Sequence, residues 1–223
     1  MGEKIYLAFY ELSRLVIDCL LLNLLWAIVS WPVLFLTIQI GVTPDPEALQ
    51  ILLPLLFFFM PILLFPGLQA LISSVREGIR KPVSSGPVSF FKHYRNGYRN
   101  SFLIGMMYTG LIVLLAALLY FSLDGPPILS LIVVVLLFYI WMAALITLFI
   151  EAHYAMPLRW KLKQGIYFIM KHPLFSIGLV ILLISLNYVI FSVSLILYSL
   201  IGISLTLYAV YYLFLSKLDN LSK

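Results

Sequence analysis

The chain has 223 residues, of which 63% are hydrophobic and only 10% are charged. Soluble domains contain about 45–50% apolar and about 25% charged residues, so this composition excludes an ordinary water-soluble fold and predicts one transmembrane domain over residues 1–223. In so apolar a chain, the net charge of +5 indicates a basic cytoplasmic face and not nucleic-acid binding.

Apolar runs along the chain predict six membrane-spanning helices, because about 20 apolar residues cross a bilayer core. The first four runs cover residues 15–40, 51–72, 102–121 and 128–150. The last run, residues 174–215, is roughly twice as long as one span requires, so it must fold back on itself. We expect its turn near Phe191–Ser194, with Ser199–Gly202 as the alternative. The predicted fold is an all-α, polytopic transmembrane bundle of three helical hairpins.

The distribution of basic residues supports six spans. If the spans alternate in direction, all 14 Lys and Arg residues fall on one side of the membrane, in residues 1–14, 73–101, 151–173 and 216–223. The positive-inside rule makes that side cytoplasmic and places both termini there. The connections on the other side have no Lys or Arg and contain Asp45, Glu47 and Asp124. A five-span arrangement would put the lysines of the C-terminal tail outside.

Two segments that precede spans have an amphipathic pattern, and residues 4–14 show a weaker one. In residues 89–100, Phe91, Tyr94 and Tyr98 form an aromatic stripe on a helix, beside a stripe of basic residues. Residues 158–173 repeat this arrangement. Such short helices lie at the headgroup level, with the rings inward and the cations toward anionic lipid. We therefore expect cytoplasmic interfacial helices whose lipid-binding or partner-binding residues are Lys92, Arg95, Arg99, Arg159, Lys161, Lys163 and Lys171.

Three polar residues interrupt the predicted spans. Asp18 lies four residues after Arg14, so the two can pair on one helix face at the cytoplasmic interface. A proton or cation site is the alternative for Asp18. Asn23 and Asn187 lie deeper, where an amide usually forms interhelical hydrogen bonds. The alternative for both asparagines is a position in the wall of a substrate cavity.

The second span contains Pro54, Pro61 and Pro66, and each proline removes a backbone donor. In lipid, the freed carbonyls must find other partners, so such helices are buried in protein or line a cavity. A kinked packing helix is one interpretation. A broken helix at a transporter site is the other.

Glu151 and His153 are the most enzyme-like pair, since a carboxylate and an imidazole can perform acid–base chemistry. On a helix, however, side chains two residues apart diverge by about 200°. We expect interfacial contacts instead, with Arg159 as a partner. His93, His153 and His172 have no metal-ligand spacing, and Cys19 is the single cysteine. The sequence therefore predicts no catalytic, metal or cofactor-binding residues.

Four stretches resemble one family of bacterial membrane proteins. They are Asn23-Leu-Leu-Trp26, FPGLQAL at 65–71, SFFKHYRNGYRNSFLIG at 89–105 and AMPLRWKLKQGIYFIMKHPLFSIG at 155–178. These stretches are similar to the YesL-like family, in order and over nearly the whole chain, although this sequence has additional residues around 38–62. The resemblance implies a bacterial plasma membrane protein without an established activity. Genes of that family often lie near genes of carbohydrate uptake and breakdown, which implies a link to sugar transport.

These observations favour a non-enzymatic accessory component of solute uptake, with carbohydrate as the candidate solute. Its basic cytoplasmic face would bind anionic lipid headgroups, a transporter or a cytoplasmic protein, without a cofactor. One alternative is a small transporter or channel, with a cavity lined by the second span, Asn23 and Asn187. The other is a lipid-site enzyme that uses Glu151 and His153.

Cysteine labelling tests the predicted topology. A cysteine at position 45 or 124 should react with a membrane-impermeant reagent added outside, whereas a cysteine at position 95 or 161 should react only from the cytoplasmic side. Labelling of positions 95 and 124 from the same side would exclude six alternating spans.

Overall fold

The computed structural model describes residues 2–80, 87–123 and 125–221, and these residues form helices joined by short turns. No strand occurs within these ranges, and 6 helical stretches are long and apolar enough to cross a membrane. The predicted all-α polytopic bundle is therefore confirmed. Asp124, which served in the topology and labelling predictions, lies outside the described residues. The stretches are Ser13–Val42, Pro46–Arg80, Val88–Ser122, Pro127–His153, Pro173–Val193 and Leu195–Asp219.

Four of the spans belong to unbroken helices, and two contain a π-helical segment. The unbroken helices are α1 (Gly2–Val42), α4 (Pro87–Ser122), α5 (Pro127–His153) and α7 (Pro173–Val193), with the short α6 (Leu158–Lys171) between α5 and α7. The second span consists of α2 (Pro46–Phe59), a π segment (Met60–Leu64) and α3 (Phe65–Arg80). The last span consists of α8 (Leu195–Leu197), a π segment (Tyr198–Gly202) and α9 (Ile203–Leu221).

The long apolar run at the C-terminus folds back at Ser194. This residue has an extended backbone, with φ −164° and ψ 127°, which ends α7. Its hydroxyl then accepts a hydrogen bond from the Leu197 N–H at 3.3 Å and caps the next helix. The first of the two expected turn positions is thus the correct one.

The expected interfacial helices differ from the structure in one respect. Only residues 158–171 form a separate short helix, whereas residues 4–14 and 89–100 are continuous with α1 and α4. No proline separates either segment from the span that follows it, so the helical hydrogen bonds continue without interruption. As a result α4 has 36 residues and is about 54 Å long.

The π segment of the second span separates a peripheral helix from a central one. Pro61 lies inside it and Pro66 is the second residue of α3 after it, and neither has an N–H to donate. The wider π turn changes the hydrogen-bond register, and the Phe65 N–H donates to the Met60 carbonyl. Before the segment, α2 has no buried residue, whereas 9 of the 16 residues of α3 are buried. This arrangement favours a packing role for the prolines.

α3 is at the centre of the bundle, where it packs against α1, α4, α5 and α9. Beside it, Phe149 of α5 contacts Tyr211 and Phe214 of α9, with ring centroids 5.3 and 5.2 Å apart. α6 approaches α5 closely because position 165 is glycine, and a Cβ there would overlap the side chain of Thr147. The core is therefore concentrated near the helix ends where α3, α5, α6 and α9 meet.

Asn23 joins the first span to the π segment of the last span. Its Nδ2 donates to the Ser199 carbonyl at 2.7 Å, and its Oδ1 accepts from the Ser204 N–H at 3.2 Å. The Ser204 hydroxyl in turn donates to the Cys19 carbonyl at 2.6 Å. Inside lipid, backbone groups near an irregular turn require such partners.

Asn187 makes a similar but weaker connection. Its Nδ2 donates to the Leu183 carbonyl of its own helix at 2.7 Å and to the Thr206 hydroxyl of α9 at 3.3 Å. Both asparagines therefore contribute to helix packing in this structure.

Replacement of Asn23 by Leu should lower the free energy of unfolding by about 1–2 kcal/mol, because two backbone groups would lose their partner in a buried site. Unfolding of the purified protein by a denaturing detergent would measure the change. Asn187→Leu is the matched control and should lower the free energy of unfolding less, because one of the two hydrogen bonds of Asn187 is within its own helix. An equal or larger loss for Asn187→Leu would contradict the role given to Asn23.

Candidate functional site

Charged side chains of α3, α4, α5 and α6 meet at one end of the bundle. We call it the basic end, and it comprises the last turns of α3, α5 and α9, the first turns of α4, and α6. Contacts between the helices show that these segments adjoin. Glu77 Oε2 of α3 lies 2.9 Å from His93 Nε2 of α4, and Arg76 of α3 donates to the Ala152 carbonyl of α5.

A buried ion pair joins three helices at the basic end. Lys161 Nζ of α6 lies 2.6 Å from Glu151 Oε2 of α5, and the two side chains are only 4% and 7% exposed. The Asn100 amide of α4 donates to Glu151 Oε1 at 3.1 Å. Because the carboxylate has partners on both oxygens, the cost of removing the two charges from water is offset.

Lys161 therefore differs from the other residues predicted to bind lipid or a partner. Its ammonium group lies inside the bundle against Glu151, so it is not available on the surface. Arg159, which we expected to contact Glu151, is exposed instead. Lys163, exposed on the same helix, is consequently a better labelling position than 161.

The six remaining predicted cations are exposed at the basic end. On α4, Tyr94, Tyr98 and Phe102 form a continuous row, with successive ring centroids 5.6 and 6.2 Å apart. The first two rings are half-buried. The two-stripe pattern of this helix thus gives a packed aromatic row beside exposed cations. The exposed cations are Lys92, Arg95 and Arg99 on α4 and Arg159, Lys163 and Lys171 on α6.

The last turn of α5 is held by two residues of α3 to which the sequence analysis assigned no role in a site. Arg76 donates to the Ala152 carbonyl, one of the carbonyls without a helical partner at a helix C-terminus. A cation there is also stabilised by the helix dipole. With its nitrogen toward the Leu148 carbonyl, the Gln69 amide donates to that oxygen and accepts from the Ala152 N–H, each at 3.1 Å. A polar residue in the apolar stretch FPGLQAL is the signal that could have identified Gln69.

Glu151 and His153 have different neighbours. Glu151 is engaged by Lys161 and Asn100, whereas the His153 ring packs against Tyr154, with centroids 4.5 Å apart. The His153 Nδ1 is buried and has no hydrogen-bond partner among the described residues. The structure therefore does not assemble the two side chains into an acid–base pair.

Asp18 forms the expected local pair with Arg14. The Arg14 Nε lies 3.9 Å from Asp18 Oδ2, and both side chains are more than a quarter exposed, at 29% and 26%. An exposed pair of this kind contributes about 0–1 kcal/mol to stability.

Clefts open between the helices at the basic end. One of about 210 Å³ is lined by aromatic and polar side chains, including Tyr154, Trp160, Gln164 and His172. Desolvation, and then the positive charges of Lys217 and Lys171, lower the pKa of His172 below its usual range. A second cleft, of about 320 Å³, lies between α3 and α4 and is lined by Ser73, Arg76, Glu77, Arg80 and His93. In the described part of the chain, no group of three or more His, Cys, Asp or Glu side chains could hold a metal ion.

Residues 19–123 match a family described as "Protein of unknown function, DUF624". That family is associated with YesL-like bacterial membrane proteins, which agrees with the resemblance over this part of the chain. The match begins in α1 and ends just after α4, so it includes both sides of the cleft between α3 and α4 and excludes Glu151 and Lys161. No curated protein and no solved structure matches the chain.

Removal of one partner of the buried pair Glu151–Lys161 should destabilise the protein. Glu151→Gln should lower the free energy of unfolding by about 3–5 kcal/mol, because it leaves the Lys161 ammonium without a counter-charge. The double variant Glu151→Gln with Lys161→Met should recover most of that loss in the same detergent unfolding assay. If the double variant is no more stable than Glu151→Gln alone, the two residues do not act as a pair.

Proposed function

We propose that this multi-pass membrane protein is a non-enzymatic accessory component of a solute-uptake system. It acts in the bacterial plasma membrane, with both termini in the cytoplasm, through contacts made by its basic end. The observation that carries the proposal is the set of six exposed cations on α4 and α6, which flank the same end of the bundle. These six side chains are exposed to another surface, whereas Lys161 and Glu151 inside the bundle are paired with each other.

Contacts within the membrane support this function over that of a small transporter. A carrier needs polar groups that can bind solute, but Asn23 uses both ends of its amide on the backbone of the last span. Asn187 bonds to Leu183 and Thr206. The α3 part of the proline-rich span is packed in the core. The groups expected to line a cavity thus serve helix packing.

The environment of Glu151 likewise disfavours the lipid-site enzyme. A general base must reach its substrate within hydrogen-bond distance. Both Glu151 oxygens contact protein groups, and the side chain is only 7% exposed.

Anionic headgroups are the first surface that the basic end meets. Each cation near such a membrane surface contributes about 1 kcal/mol of attraction. The half-buried aromatic row on α4 places the cations of that helix next to rings that are suited to the membrane interface. These contacts orient the basic end, where a transporter subunit then docks. The family resemblance suggests carbohydrate as the solute.

Co-purification tests the proposal. The tagged protein is cross-linked in native membranes, and the captured proteins are compared for the wild type and for the triple variant Lys92→Gln, Arg95→Gln and Arg99→Gln. The neutral variant should capture several-fold less transporter subunit, because it loses three of the six exposed cations. Deletion of the protein should also slow carbohydrate uptake.

The matched control keeps every charge, with Lys92→Arg, Arg95→Lys and Arg99→Lys. It should capture as much transporter subunit as the wild type. Normal uptake after deletion, together with capture of no transporter subunit by the wild type, would refute the accessory role.

A further inference from the structure

The described residues that line the cleft between the end of α3 and the start of α4 all carry a polar or charged group. Its volume is about 320 Å³, and it is lined by Ser73, Arg76, Glu77, Arg80 and His93. Four of these residues belong to α3, at positions i, i+3, i+4 and i+7, so they share one face of the helix. That face brings two guanidinium groups and a hydroxyl to a single cleft.

The structure holds one of the two guanidinium groups in place. Arg76 donates an N–H to the Ala152 carbonyl at the end of α5, which anchors one side of the group. A guanidinium carries five N–H donors in a rigid fork, so further donors remain for a ligand in the cleft. Arg80 is exposed, lines the same cleft and supplies a second fork.

The opposite wall carries His93, which is positioned by Glu77. The Nε2 of His93 lies 2.9 Å from Glu77 Oε2, and each side chain is about 30% exposed, at 30% and 31%. The Glu77 carboxylate would repel an anion in the cleft, but it lies against the His93 imidazole. The two arginines leave the lining with a positive balance.

We propose that this cleft binds a phosphate monoester group. Such a group carries a charge of about −1.5 to −2 near pH 7 and has three acceptor oxygens, which match two guanidinium forks and a hydroxyl. The phosphate can belong to a phosphatidate headgroup in the membrane or to a water-soluble phosphate compound. The chemistry of recognition is the same for both sources.

This site is separate from the exposed cations of the proposed function. Lys92, Arg95 and Arg99 are exposed, whereas His93 on the same helix is half-buried against α3. The phosphate site does not depend on docking of a transporter. If the co-purification experiment captured no transporter subunit, the proposed phosphate site would still stand.

Two binding measurements on the full-length protein test the site. In the first, inorganic phosphate is titrated calorimetrically into protein in phosphatidylcholine nanodiscs. In the second, the protein is taken from nanodiscs of phosphatidylcholine and phosphatidate, and the retained phosphatidate is counted by native mass spectrometry. Binding in the first measurement indicates a soluble ligand, and retention in the second alone indicates a lipid headgroup. Both outcomes support the site.

Variants of the cleft show whether binding is local. Arg80→Gln should weaken binding by about tenfold or more, the loss expected for a charge-assisted hydrogen bond. Ser73→Ala leaves the charge unchanged and should still weaken binding. Arg14→Gln is the matched control, since it removes an arginine of α1 that lies outside the cleft and is not one of the six exposed cations, and it should leave the affinity unchanged. Arg76 is not varied, because it also holds α5.

The proposal is overturned if the wild type binds neither phosphate nor phosphatidate. It is also overturned if Arg14→Gln weakens binding as much as Arg80→Gln, because the effect would then come from the general positive charge of the protein. Thermal unfolding of each variant distinguishes a loss of binding from a loss of folding.

Discussion

The burial of α3 among α1, α4, α5 and α9 is the constraint on which the rest of the structure depends. In a bilayer, apolar side chains gain little from meeting each other instead of lipid, so close packing and hydrogen bonds hold the helices together. α3 provides both. Its apolar residues fill the core, while Gln69 and Arg76 hold the last turn of α5 and Glu77 pairs with His93 of α4.

Those polar contacts also decide which charges can act on another molecule. Lys161 and Glu151 neutralise each other inside the bundle, and Asn100 adds a third helix to the pair. By contrast, the six cations predicted on α4 and α6 other than Lys161 are exposed. The result is a stabilised interior beneath a basic surface, with a polar cleft beside it.

Several elements could be predicted from sequence because they depend on length and composition. Six spans followed from the apolar runs, and the turn at Ser194 followed from a run twice as long as one span requires. The interfacial helices were predicted less well, since an amphipathic pattern does not show whether a helix ends before the next span. The buried state of Lys161 could not be predicted either. The position of Lys161 in the helical pattern of residues 158–173 is that of a surface residue. Only the glycine at position 165 lets α6 approach α5 so closely.

The sequence by itself determined that this is an all-α membrane protein of six spans, because the hydrophobic content and the span length are properties of the chain alone. Tertiary structure decided which polar residues are partners. Asn23 meets Ser199 and Ser204, and Arg76 meets Ala152, across 76 to 181 positions of sequence. Such contacts depend on which helix faces meet, and no local pattern contains that information. For the same reason, the cleft formed by Arg76, Arg80 and His93 exists only in the folded bundle.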